Sequence, residues 1–123
     1  MSYKKQTGKI GEDLACNYLE SKGYQIIERN FLCKQGEIDI IAQDKNEKVF
    51  IEVKTRTNIR YGYPADAVTN IKQKHMVKAT EYYLYKHFIK DEYIRLDIIE
   101  VYLYSDTYKI NHIKQIMWDN CFF

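Results

Sequence analysis

Two short runs, GEIDIIAQ (36–43) and KVFIEVKTR (48–56), are separated only by Asp44, Lys45, Asn46 and Glu47. Runs rich in Ile, Val and Phe with so short a polar break form an antiparallel hairpin. Whether the break is a four-residue loop or a two-residue turn at Lys45 and Asn46, the register is the same, because residues pair outward one for one. Ile41 then faces Phe50, Asp39 faces Glu52 and Glu37 faces Lys54 on one side of the ribbon. On the other side Ala42 faces Val49, Ile40 faces Ile51 and Ile38 faces Val53. The second face is wholly apolar. The first is apolar near the turn and ionisable at its far end, which gathers the charges at one rim of a sheet.

Directly opposed residues have Cβ atoms about 4.5 to 5.5 Å apart, where like charges are destabilising. Asp39 beside Glu52 therefore calls for a cation. Two carboxylates at that separation can share one Mg²⁺ (or Mn²⁺), an ion that takes oxygen ligands and keeps waters for a phosphate to displace. Lys54 lies on the same face as Glu52, placed to orient water or neutralise charge on a phosphate. Val53 points the other way, into the core, and leaves its carbonyl as a further ligand. Cross-strand ion pairs are also ordinary on half-exposed sheet faces, and E-x-K occurs by chance in many strands. A loop one residue longer or shorter would turn Asp39 and Glu52 to opposite faces.

The rest of the chain supplies the frame. From Thr7 to Lys22 the apolar positions Ile10, Leu14, Ala15, Tyr18 and Leu19 recur at helical spacing, with Gly23 as the stop. Glu12 borders that stripe and is aimed toward the sheet, whereas Asp13, Asn17 and Glu20 fall on the wet face. YQIIERNFL (24–32) precedes the two runs as a strand, and 58–63, with Gly62, reads as a loop. Asn70 caps a second helix reaching about His87, with Ile71, Val77, Leu84 and Phe88 as core candidates. YIRLDIIEVYLY (93–104) is a fourth strand, and YKINHIKQIM (108–117) hairpins back as a fifth across Ser105 to Thr107. Helix, three strands, helix, one or two strands in one domain, residues 1–123, predicts an α/β fold: a central mixed β-sheet flanked by helices on both faces.

Composition narrows the class. With 123 residues, 46% hydrophobic, 29% charged and a single Pro, the chain is globular and buries an ordinary core. A net charge of +2 identifies no partner by itself. Cys16, Cys33 and Cys121 form neither a C-x-x-C pair nor a set with nearby His, which speaks against disulfides and zinc. His75, His87 and His112 lack metal spacing. MSYKKQTGKIGEDLA has no signal-peptide core and no run is long and apolar enough to span a membrane, so a cytoplasmic location and no membrane partner are expected. Tyr82, Tyr83, Tyr85, Tyr102 and Tyr104 read as core and sheet packing, and Trp118 with the terminal CFF as packing on the domain or at a dimer contact.

GKIGEDLACNYLESKGYQIIERNF, then GEIDIIAQ, VFIEVKTR, YGYPADAV, Lys74 and RLDII together resemble the YraN family of small bacterial proteins over nearly the whole chain. That family is similar to archaeal Holliday-junction resolvases and to the restriction-endonuclease-like superfamily with the PD-(D/E)xK signature. The resemblance implies a restriction-endonuclease-like sheet and Mg²⁺-dependent phosphodiester cleavage. It assigns the metal-binding acid to Asp39, the second acid to Glu52, the lysine to Lys54 and the helical acid to Glu12. The Pro of the signature is absent, since Ile38 precedes Asp39. Cleavage of junctions, as resolvases perform it, implies a homodimer.

From Lys54 to Lys78 the basic residues Lys54, Arg56, Arg60, Lys72, Lys74 and Lys78 meet one acid, Asp66. Such a segment suits a phosphate backbone, with Tyr61 and Tyr63 placed to stack on bases, so the expected partner is a nucleic acid, DNA before RNA. Each of these residues could equally serve on a solvated helix face or at a core edge. The leading expectation is hydrolysis of nucleic-acid phosphodiesters, with branched DNA among the candidate substrates, by one or two Mg²⁺ or Mn²⁺ ions. Asp39, Glu52, the Val53 carbonyl and Glu12 hold metal, and Lys54 stands near the attacking water. Two other readings remain: a nucleic-acid-binding accessory protein without cleavage, and an interaction protein with polar sheet edges.

Overall fold

The computed structural model describes residues 3–57 and 70–116. Helix α1 spans Tyr3–Ser21, four residues ahead of its expected start at Thr7. It ends where the apolar pattern stops. Gly23 adopts φ 92°, and the N–H groups of Gly23 and Tyr24 donate to the carbonyls of Glu20 and Leu19, both at 3.0 Å. Glycine carries no Cβ penalty in that conformation, and the turn satisfies carbonyls the helix leaves open.

Strands β1 (Gln25–Cys33), β2 (Gly36–Asp44) and β3 (Glu47–Arg56) follow, then α2 (Asn70–Lys86), β4 (Tyr93–Leu103) and β5 (Tyr108–Ile113). The strands form one five-stranded sheet in the order β1-β2-β3-β4-β5, antiparallel except where β4 lies parallel to β3. The parallel pair needs a crossover, and α2 lies within it. The sheet is mixed, as the order of elements predicts.

Each helix covers one face. Ala15, Cys16 and Leu19 of α1 pack on Ile40, Ala42, Val49, Ile51, Ile99 and Val101. Met76, Ala79, Tyr83 and Leu84 of α2 pack on Ile41, Phe50 and Leu96. Burial on both faces is why the central strands read as nearly continuous apolar runs. Among the described residues no helix is long and apolar enough to cross a membrane.

Several expected core residues lie outside the core. Ile10 is half exposed on α1. Phe88 is 86% exposed, because the chain leaves α2 there: it adopts φ 54°, and the Ile89 N–H closes back onto the Leu84 carbonyl. Tyr83 is buried and Tyr82, partly exposed, stacks on Phe31, but Tyr85 and Tyr104 face solvent. The fifth strand stops at Ile113, where Gln115 takes φ 56° and Ile116 N–H bonds the Leu96 carbonyl. The expected loop at 58–63, with Arg60, Tyr61 and Tyr63, and Asp66, Trp118 and Cys121 with the terminal Phe residues, lie outside the described residues, as do the side chains of Ile71 and Lys72.

One buried polar cluster was not foreseen. Asp97, fully buried on β4, accepts from Arg95 Nε at 3.0 Å and from the Gln115 N–H at 3.0 Å. Burial alone would raise its carboxyl, but hydrogen bonds from His112, Arg95 and Gln115 outweigh that and hold it below the ordinary value. An ionised Asp97 can only accept, so His112 Nε2 donates to it at 2.7 Å, while His112 Nδ1 faces the Tyr18 hydroxyl at 3.1 Å. Arg95 also donates to the Tyr24 hydroxyl at 2.6 Å and to Glu47 at 3.0 Å, which ties α1, β3, β4 and β5 together.

Candidate functional site

The β2–β3 hairpin has the register read from its turn: Asp44 pairs with Glu47, Ala42 with Val49, Ile41 with Phe50 and Ile40 with Ile51. The paired residues end there. Asp39 and Glu52 lie one step beyond the last pair, and continued pairing would set Ile38 against Val53. Instead the Val53 N–H donates to Asp39 Oδ2 at 2.8 Å. A carboxylate has replaced a backbone carbonyl, and the side chain lies sideways in the gap where β2 parts from β3. Ladder residues exchange N–H and C=O toward the same neighbour, so the Val53 carbonyl faces the same gap.

The alternation of β2 breaks at this point, which corrects the expected pairing. Ile40 and Ala42 pack under α1, yet Ile38 packs with Ile41 and Phe50 under α2. On β1 the neighbouring Asn30 adopts φ 54°, between Arg29, opposite Ile40, and Phe31, opposite Ile38. Both strands therefore change face together. Ile38 does not share the face of Val53, and the regular pairs Asp39–Glu52 and Glu37–Lys54 are not part of the ladder.

Glu52 and Lys54 keep the orientation expected of them. Even-numbered β3 residues share the α2 side with Phe50, and Lys54 Nζ pairs with Glu52 at 2.8 Å. Val53 packs against the α1 core, as expected. Glu12 on α1 is half-buried, and Arg29 Nη2 approaches it at 3.5 Å while bonding Asp13 at 2.8 Å. Arg29 was not singled out from sequence; its placement depends on the β1–β2 register around an irregularity between Ile26 and Glu28.

Asp39 is the electrostatic centre. Burial first, then the negative charges of Glu52, Glu12 and Glu37, push its carboxyl up to about 7, against the pull of the Val53 N–H. Helical acid, hairpin acids and the gap thus act on one another through space. Among the described residues no three His, Cys, Asp or Glu side chains converge as they stand on a point that would hold a metal ion. The donors match a hard cation in chemistry, being carboxylate and carbonyl oxygens without sulfur or imidazole. Asp39 carries a charge that its surroundings oppose, which a divalent ion would relieve. Glu52 and Glu12 would have to turn from Lys54 and Arg29 to join it.

The same face continues across the sheet. Lys54 has Glu100 of β4 as its ladder partner, and Glu100 has Asn111 of β5. Arg56 is matched in the same way by Tyr102 and then Lys109. Two polar rows thus extend the apolar floor of Phe50 and Leu96 toward the rim. Glu100 was also not among the expected residues, because nothing local places β4 beside β3. Lys74 and Lys78 are exposed on α2, and Lys78 lines a shallow surface hollow with Gln35, Glu81, Tyr82 and Tyr85. Lys72 lies in α2 by its backbone.

A mixed sheet between two helices, entered by a helical acid and parting at an aspartate ahead of E-x-K, defines an α/β domain of the PD-(D/E)xK-like kind. The family model described as uncharacterised protein family UPF0102 matches residues 11–101, and the chain belongs to that family, also called YraN. A UPF0102 protein of Caldanaerobacter subterraneus is 49% identical over 89% of this chain and 93% of its own length. One from Clostridioides difficile is 47% identical over 89% and 94%. A Clostridium botulinum relative is 48% identical over 89% and 92%.

Proposed function

We propose that this protein is a Mg²⁺- or Mn²⁺-dependent nuclease acting on nucleic-acid phosphodiesters. The observation that carries the reading is the Asp39 carboxylate lodged between parted strands, bonded to the Val53 N–H, with Glu52 and Lys54 next along β3. Such a site spends folding stability on a charge that serves no packing purpose.

A bound divalent ion would supply Lewis-acid polarisation of a phosphate oxygen and acidify water. Asp39, Glu52 and the Val53 carbonyl are the groups that would hold it, with Glu12 on the α1 side. The Val53 N–H fixes the Asp39 rotamer, so this ligand is set before any ion arrives. Lys54 carries the positive charge that would offset charge gathering on the phosphate. Arg56, Lys74 and Lys78, with Lys72 and Arg60 by sequence, would contact the backbone of DNA and weaken with salt.

A binding protein without cleavage is the second reading, favoured by one observation: Glu52 and Glu12 are already neutralised by Lys54 and Arg29. Calorimetry with Mn²⁺ separates the two. The nuclease reading expects a binding heat in the unaltered protein that disappears in Asp39→Asn and Glu52→Gln, together with cation-dependent cleavage of at least one branched, single-stranded or duplex substrate that is lost in Lys54→Ala. Salt-sensitive DNA binding without either signal selects the second reading.

A further inference from the structure

Glu100 sits in the middle strand of the polar row, with Lys54 as its partner on one side and Asn111 on the other. The parity is unambiguous. Phe50 and Leu96 are ladder partners in the α2-facing core, and Lys54 and Glu100 lie four residues further along the same two strands, on the same face. Glu100 is only 2% exposed. Its Oε1 accepts from Asn111 Nδ2 at 2.7 Å and from the Tyr102 hydroxyl at 3.4 Å. Its Oε2 is buried and has no hydrogen-bond partner among the described residues. A buried carboxylate oxygen without a donor is costly, so one retained beside a lysine is a place for that lysine to go.

Lys54 meanwhile bonds Glu52 at 2.8 Å. That contact occupies the carboxylate required by the proposed metal site, and this inference rests on that site. Adjacent strands are about 4.8 Å apart, within the swing of a lysine side chain. We infer that Glu100 is a positioning residue for Lys54: when Glu52 turns its carboxylate to a divalent ion, the Lys54 ammonium passes to Glu100 Oε2. The lysine thereby stays on the site face, and Glu52 is released to the ion.

The test is a double-mutant cycle read by Mn²⁺ calorimetry on the whole chain. Glu100→Gln is expected to weaken Mn²⁺ binding about tenfold, with its metal-free thermal midpoint within a few degrees of the unaltered protein. Lys54→Met, which frees Glu52, is expected to bind Mn²⁺ at least as tightly as the unaltered protein. Adding Glu100→Gln to Lys54→Met is expected to change Kd less than twofold. Glu100→Asp is expected to recover part of the lost affinity. Should Glu100→Gln fail to fold, Glu100→Met with Asn111→Leu removes the acid and its donor together and takes its place in the cycle. Unchanged affinity in Glu100→Gln, an equal loss in the Lys54→Met background, or weaker binding in Lys54→Met alone each overturns the relay while leaving the metal site standing. Absence of Mn²⁺ binding in the unaltered protein overturns both.

Discussion

Asp39 shows how one side chain can link stability to chemistry. In the folded chain its carboxyl is raised from 3.8 to about 7, chiefly by burial and then by the charges of Glu52, Glu12 and Glu37. A raised carboxylate means that the folded state holds its proton longer than the unfolded state does. Stability is therefore retained below about pH 4 and given up as pH climbs toward 7, by on the order of 4 kcal/mol for a shift of this size. Urea denaturation at pH 5 and pH 8 checks this: the unaltered protein is expected to be weaker at pH 8, and Asp39→Asn to flatten the difference and be the more stable of the two there. Mn²⁺ at pH 8 is expected to stabilise the unaltered protein and leave Asp39→Asn unmoved. An Asp39→Asn variant less stable than its parent at pH 8 would contradict this account. The residues Glu12, Asp39, Glu52 and Lys54 were readable from periodicity and turn length, but the Asp39 bond to Val53 was not, since it exists only because the ladder ends.

Among elements, α1 approaches β3 closely at Gly11. A Cβ built on Gly11 would lie 1.9 Å from Thr55 Oγ1 and 2.9 Å from its Cβ, whereas at Gly8 nothing lies within 4 Å. Both glycines are in the same helix, where alanine is intrinsically better by about 0.8–1.0 kcal/mol. The two substitutions should therefore have opposite signs. Gly8→Ala is expected to stabilise by up to about 1 kcal/mol, and Gly11→Ala to destabilise by about 1–3 kcal/mol through overpacking. Chemical denaturation of the pair decides it, and a stabilising Gly11→Ala would mean that α1 can lift from β3 freely. The close approach has a functional side, because Glu12 follows Gly11 directly and is carried toward the sheet by it. The boundaries of α1, β2, β3 and α2 were legible to within a few residues from spacing and stop signals. The failures at Ile10 and Phe88 came from helix ends and edges, where apolar periodicity continues past the surface that buries it.

For the whole molecule, the Arg95, Asp97 and His112 cluster joins elements that are distant in sequence. Hydrogen bonds from His112 and Arg95 hold the Asp97 carboxyl low against burial, so its contribution is present above about pH 4 and fades as pH falls further. Asp39 acts in the other direction as pH rises toward 7. With no metal present, these two groups together favour greatest stability near pH 4, below which the Asp97 contribution fades and above which that of Asp39 is given up. A thermal midpoint mapped against pH is expected to peak there. Asp97→Asn leaves the buried Arg95 the more exposed carboxylates of Glu47 and Asp44 as its anions, and is expected to lose about 1–3 kcal/mol at neutral pH. A loss below about 1 kcal/mol would show that water or Glu47 takes over the guanidinium.

Which residues alternate, where a two-residue turn closes and which helix side is apolar depend on neighbours within a few positions, and a chain shows such neighbours directly. The hairpin register from the turn as far as Ile40 and Ile51 followed from these alone. The position of Arg29 against Glu12, the change of face at Ile38 and the row from Lys54 through Glu100 to Asn111 rest on pairings between distant segments and on an irregularity in two strands at once. Those arise when both faces of a sheet must be covered simultaneously, a condition imposed by packing across the molecule and carried by no local stretch of the chain.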